Sequence, residues 1–228
     1  MVEMTLTQLR WLLIGLLGFL VLLNILTPTG IDTLGVSSEW SNGSYRFGAG
    51  TEPRAIAEAI LLIGLYALLM HASPTDSTKP LPGVFRRFIA FLCDLVFVIS
   101  ATAPILGIVP ALLEWHRTGE FEWTFERDVP ANSDLWVTVL GTLFAFIVLV
   151  SYYTLPLLRR KPSPGACIMG YQVVPDDGST LTLGRALLRT LLGFAAVNCA
   201  FIAPFVARDR SKGKFWVDQV FQTRAVLF

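Results

Sequence analysis

Asp94 is the residue whose surroundings point most directly to chemistry. It stands in Phe88-Ile-Ala-Phe-Leu-Cys-Asp-Leu-Val-Phe-Val-Ile, an apolar run with no other charge. With the membrane interface near Phe85, nine residues of helix carry it roughly 14 Å inward, close to the midplane of a bilayer. An ionised carboxylate at that depth costs about 2.5–3.5 kcal/mol on insertion scales, so it has to face other helices and hold a partner. Such a group can exchange a proton or bind a small cation. Arg87 lies two turns earlier on nearly the same face, with Ala90 between them. An arginine there extends its head back toward water, so direct contact with Asp94 is not expected. Ala90 leaves room for another segment to approach. The face Arg87–Ala90–Asp94 therefore reads as one built to receive a polar or charged partner. The plainer reading is an arginine anchor and a packing carboxylate, and the two readings stand side by side.

The remaining reactive side chains offer less. Glu58 sits near the start of an apolar stretch, where a carboxylate suits a helix N-terminus. His71 and His116 are isolated, with no Glu or Cys at ligand spacing. Cys93, Cys167 and Cys199 are odd in number and far apart, which supports neither a zinc site nor a disulfide framework. They read as packing residues. No Gly-Lys-Ser/Thr follows Gly165 to Gly170, and no nucleophile motif or metal-protease motif is present. No enzyme activity, metal or cofactor is expected.

The elements that must position these residues are membrane helices. Hydrophobic residues make up 54% of the 228 and charged residues only 15%, against roughly 25% in a soluble domain. Five stretches approach the ~20 apolar residues of a span. They run from Leu9 to Thr27, Ala55 to Ala72, Phe88 to Leu113, Leu135 to Leu158 and Leu187 to Ala207. The first follows Arg10 and lacks an A-x-A site, so it is read as an uncleaved span. The expected fold is all-α, a multi-spanning transmembrane helical bundle of four to five spans. Residues Pro28 to Pro53 hold five glycines and read as an irregular loop. Tyr171 to Val174, before Pro175-Asp176-Asp177-Gly178, reads as a short strand entering a turn. A net charge of +1 gives no reason to expect nucleic acid.

Positive charge marks the cytoplasmic side. Lys79, Arg86 and Arg87 precede the third stretch, and Arg159, Arg160 and Lys161 follow the fourth. The acidic segment Glu114 to Asp134 between them should face outward, and the N-terminus inward. The fifth stretch conflicts with this scheme, because its tail carries Arg208, Arg210, Lys212 and Lys214. Either the rule fails there, or the stretch is re-entrant or interfacial, with Asn198 and Pro204 permitting a break.

Arg87-x-x-Ala90-x-x-x-Asp94 resembles the opening motif of the RDD family of bacterial membrane proteins, named for one Arg and two Asp. Ser163-Pro-Gly165, Gly170-Tyr-Gln-Val-Val174 and Asp177-Gly178 are similar to its second block. Gly184-Arg185-Ala-Leu-Leu-Arg189 is similar to its third, and Asp218 followed by Thr223 to its last. Ala166 stands where the family often has Lys, Gln222 where it often has Gly, and Val217 where it often has His. The resemblance covers about residues 82–228. It implies a 79–228 membrane domain behind a 1–78 two-span extension, in the bacterial inner membrane. It marks Arg87, Asp94 and Asp218 as the polar cluster. Lys214-Phe-Trp-Val-Asp-Gln-Val-Phe reads as a short amphipathic helix returning to the membrane, from which Asp218 could reach Arg87, Arg185 or Arg189. Two functions fit. One is transport of a small cation or proton. The other is a structural or interaction subunit with a homo-oligomeric or membrane-protein partner, offering the outward loop with Trp115, Trp123 and Phe125.

Overall fold

The computed structural model describes residues 5–27, 35–41, 44–72, 82–130, 135–199 and 216–227. Four helices in it are long and apolar enough to cross a membrane: α1 (Leu6–Leu26), α2 (Pro53–His71), α3 (Val84–Thr118) and α4 (Leu135–Arg159). Large apolar side chains such as Phe19, Ile60, Ile99 and Phe144 stand exposed along them. So much contiguous apolar surface is untenable in water and suits lipid. The chain is a multi-pass, mostly helical membrane protein.

The third apolar stretch extends further than its hydropathy suggested. α3 runs unbroken for 35 residues through Pro104 and Pro110, or roughly 52 Å, well beyond the ~30 Å of hydrocarbon. The expected irregular loop between the first two spans contains a hairpin instead, β1 (Gly35–Ser41) and β2 (Ser44–Gly50). β3 (Thr124–Pro130), from the acidic segment, adds antiparallel to β2 with Ser44 opposite Pro130. Glycine count hid the period-two alternation of Ser44-Tyr-Arg-Phe-Gly, which is the stronger signal.

After α4 come the short helix α5 (Pro164–Ile168), β4 (Tyr171–Pro175) and α6 (Leu183–Cys199). The chain ends in α7 (Trp216–Val220) and β5 (Thr223–Leu227). β4 and β5 pair antiparallel, Tyr171 opposite Leu227 and Pro175 opposite Thr223. This pairing puts the C-terminal strand on the same side as the segment that follows α4. The fifth apolar stretch is helical over α6, and its end, from residue 200 on, lies outside the described residues. Pro204 and the basic tail from Arg208 to Lys214 lie outside the described residues. α6 buries Ala186 and Thr190 and exposes Leu183, Leu187 and Leu188, the inverse of a water-facing amphipathic helix, as a helix bordered by lipid requires.

Contacts group the chain into two units. One comprises residues 1–16, 65–96 and 149–228, the other 17–64 and 97–148. The three-stranded sheet belongs to the second unit. The two-stranded sheet, Asp94, Asp218 and every side chain bonded to either carboxylate belong to the first.

Candidate functional site

The first unit is assembled around α3. Its Ala90 is fully buried and packs with Ala166, Tyr171 and Ala225. The approach is close because Gly165 has no side chain: a Cβ there would lie 2.0 Å from the Ala90 carbonyl oxygen and 2.8 Å from Asp94 Cγ. The space that Ala90 leaves is thus taken by the start of α5 rather than by another span.

Asp94 is 3% exposed, and three donors converge on it. The Tyr152 hydroxyl donates to Oδ1 at 2.7 Å, the Gly165 N–H to Oδ1 at 2.7 Å and the Ser163 hydroxyl to Oδ2 at 2.6 Å. Ser163 is also the N-cap of α5, its Oγ accepting from the Ala166 N–H at 3.3 Å. Pro164 begins that helix, a position where a missing N–H costs nothing. The Ser-Pro-Gly sequence therefore has one use per residue: a hydroxyl that caps and donates, a ring that starts the turn, and a bare backbone that reaches Asp94. Tyr152 is held in turn by its ring stack on Tyr66, centroids 5.1 Å apart, and Tyr66 Oη donates to the Tyr152 carbonyl at 2.8 Å.

Asp218 forms a second group. It is 1% exposed. Arg87 donates to its Oδ2 and Arg189 to its Oδ1, each at 2.6 Å. Thr223, fully buried, donates from Oγ1 to Asp218 Oδ1 at 3.3 Å and accepts from Arg189 Nε at 3.2 Å. Arg185 donates instead to the Phe221 carbonyl at 3.0 Å, closing the end of α7. Burial alone would raise the Asp218 carboxyl, but the Arg189 and Arg87 guanidiniums outweigh it and hold it below the usual carboxylate range. Its five-residue spacing to Thr223 spans α7 and the turn into β5, so that both side chains return to Arg189.

The family Arg and two Asp thus divide between two groups, Asp94 with α4 and α5, and Arg87 with Asp218. Both groups border one cavity of about 230 Å³, whose wall includes Arg87, Asp94, Tyr153, Lys161, Arg189 and Thr190 among apolar side chains. Lys161 is drawn inward by the end of α4. Arg160 adopts φ +52°, the Lys161 N–H reaches the Pro156 carbonyl at 2.8 Å and the Arg160 N–H the Leu157 carbonyl at 3.4 Å. That is a Schellman cap made without glycine. The Lys161 amine donates to the Ala72 carbonyl at the end of α2, and burial lowers its pKa.

Sequence reasoning passed over Tyr152, Tyr153, Lys161 and Thr190. Adjacent phenols inside a spanning helix were the available signal, since a buried Tyr hydroxyl needs a partner. It also passed over Arg10, whose Nε donates to the Ile168 carbonyl at 2.9 Å and fixes the start of α1 beside α5. The other singled-out side chains are locally engaged. Glu58 pairs with Arg54 at 2.9 Å, and His71 Nδ1 lies 2.8 Å from the Ala67 carbonyl. Cys93 and Cys167 are free thiols, and burial pushes Cys167 up to about 12. Among the described residues no group of three or more His, Cys, Asp or Glu could hold a metal ion.

Four apolar spans, with half-buried arginines and buried aspartates that tie the loops and C-terminus to the start of the third span, define a multi-pass membrane domain closed by its own polar residues. The sequence profile described as RDD family matches residues 81–220. The chain belongs to the RDD family. No curated protein and no solved structure gives a match.

Proposed function

We propose that the chain carries protons across the bacterial inner membrane, coupled to a small cation, with Asp94 as the group that takes up and releases the proton. The supporting observation is the position of its carboxylate. It lies on a spanning helix, sheltered from lipid, at the wall of a cavity with room for several waters. The Tyr152 and Ser163 hydroxyls that touch it are the kind of group that relays protons. In this arrangement the arginine-rich end of the unit faces the cytoplasm, and the N-terminus lies with it.

A second reading has its own support. Asp94 and Asp218 each accept from three donors, and these donors join segments as much as 131 residues apart. The two carboxylates would then lock the domain shut, and the protein would serve a membrane complex as a non-transporting subunit.

Reconstitution separates the two. Purified protein in liposomes with an internal pH dye should move protons when a Na⁺ or K⁺ gradient is imposed. Asp94→Asn should abolish the flux, whereas Tyr152→Phe, which removes one relay hydroxyl but keeps the carboxylate, should slow it without abolishing it. Absence of flux from the native protein under every gradient overturns the transport reading.

A further inference from the structure

We propose that the cavity beside Asp94 binds a phosphate-bearing anion, held by Lys161 and Arg189 and by the Tyr153 hydroxyl.

Charge comes first. Three cations, Arg87, Lys161 and Arg189, border a space of about 230 Å³. Against them stand two carboxylates, and both are occupied. Asp94 accepts from three donors, and Asp218 sits behind the arginines, bridging them. The surplus is positive, in a half-open pocket with apolar walls that screen it less than bulk water does. An anion would neutralise that surplus.

Hydrogen bonding points the same way. Tyr153 Oη is buried and has no hydrogen-bond partner among the described residues, although its ring is held edge-on by Tyr152 and Phe194. A buried hydroxyl left unpaired is costly, so an acceptor belongs opposite it. Lys161 spends one of its three N–H donors on the Ala72 carbonyl. Ammonium, guanidinium and phenol donors facing one space suit an oxyanion.

The rest of the wall is apolar, including Phe91, Leu157, Val173 and Phe194. Free phosphate makes no use of such a surface, whereas the glycerol and first methylenes of a phospholipid do. Basic pockets between membrane helices commonly take lipid headgroups. The shared chemistry is the phosphate, and the experiment distinguishes its source.

Full-length protein, delipidated in a neutral detergent, would be titrated separately with inorganic phosphate, phosphatidylglycerol and phosphatidylcholine. Native mass spectrometry counts adducts, and thermal unfolding reads stabilisation. A single saturable phosphatidylglycerol adduct, with weak response to phosphatidylcholine, supports a headgroup. Saturable stabilisation by inorganic phosphate alone supports a free anion. Tyr153→Phe removes only the unpaired hydroxyl and should fold normally, with binding weakened about tenfold. Lys161→Met should weaken it at least as much. No saturable response to phosphate or phosphatidylglycerol overturns the proposal, as does a response unchanged in both variants. These readouts do not involve ion flux, so they stand or fall separately from the transport reading.

Discussion

Replacing Gly165 with Ala tests the architecture of the polar site most sharply. The added Cβ would sit 2.0 Å from the Ala90 carbonyl oxygen, 2.9 Å from the Ala90 carbonyl carbon and 2.8 Å from Asp94 Cγ. Two of these atoms are helical backbone, which cannot swing aside. To restore ordinary van der Waals separation, near 3.4 Å, α5 must retreat by about 1.4 Å. The 2.7 Å bond from the Gly165 N–H to Asp94 would then open to roughly 4 Å, beyond hydrogen-bond range. The Ser163 bond to Oδ2, on the same segment, would stretch with it. A buried acceptor left unsatisfied costs about 1–3 kcal/mol, so losing both bonds should cost on the order of 3 kcal/mol. For a chain of this size that is a fall of roughly 6–12 °C in Tm. The matched control is Gly64→Ala in α2, where a Cβ would meet nothing within 4 Å and no loss is expected. The assay is thermal unfolding of detergent-solubilised protein followed by size-exclusion chromatography. If Gly165→Ala unfolds within a degree or two of the native protein while Gly64→Ala does the same, α5 does not lie against α3 as described, and the account of Asp94 fails with it.

Asp218→Asn leaves two guanidiniums without their shared carboxylate and should destabilise by about 3–5 kcal/mol, read by chemical or thermal unfolding. Because the folded-state Asp218 carboxyl lies below its ordinary value, its contribution is present at neutral pH and is lost as the pH falls below about 4 through the lowered value; the acid-induced drop in Tm should be shallower in Asp218→Asn than in the native protein. Gln222 holds φ +50°, a left-handed conformation that a side chain disfavours, so Gln222→Gly should stabilise by roughly 0.5–1 kcal/mol, and a loss in Tm would refute that cause. Tyr152→Phe keeps the ring stack on Tyr66 but removes a donor to Asp94, costing about 1–2 kcal/mol; combined with Asp94→Asn the losses should fall short of their sum, and strict additivity in a double-mutant cycle would show that the two side chains do not interact.

The glycine preference that the family shows at position 222 acquires a physical reason here. The turn between α7 and β5 needs a residue at positive φ, and the Gln222 carbonyl must still accept from the Asp176 N–H at 2.9 Å. Gln222 meets both requirements at some conformational cost. Ala166, where a Lys is frequent, is buried against Ala90 and Tyr171, so in this chain that position packs rather than carries charge.

Hydropathy alone settles the membrane class, four of the spans and the residues to watch, because twenty apolar residues in a row have one stable solvent and a carboxylate among them needs a partner. The strand at Tyr171 is likewise legible, because its β-branched run is a local signal. Which partner each charge takes depends on how distant segments pack. Arg87 and Asp94 share a face of α3, yet Arg87 goes to Asp218, 131 residues away, and Asp94 to Tyr152, Ser163 and Gly165. Nor could hydropathy settle the fifth stretch. Its apolar content is that of a span, whereas the pairing of β5 with β4 sets the C-terminal strand beside the segment that follows α4. Local pattern fixes where a segment can dissolve, while hydrogen-bond pairing across long sequence separations fixes where it must end.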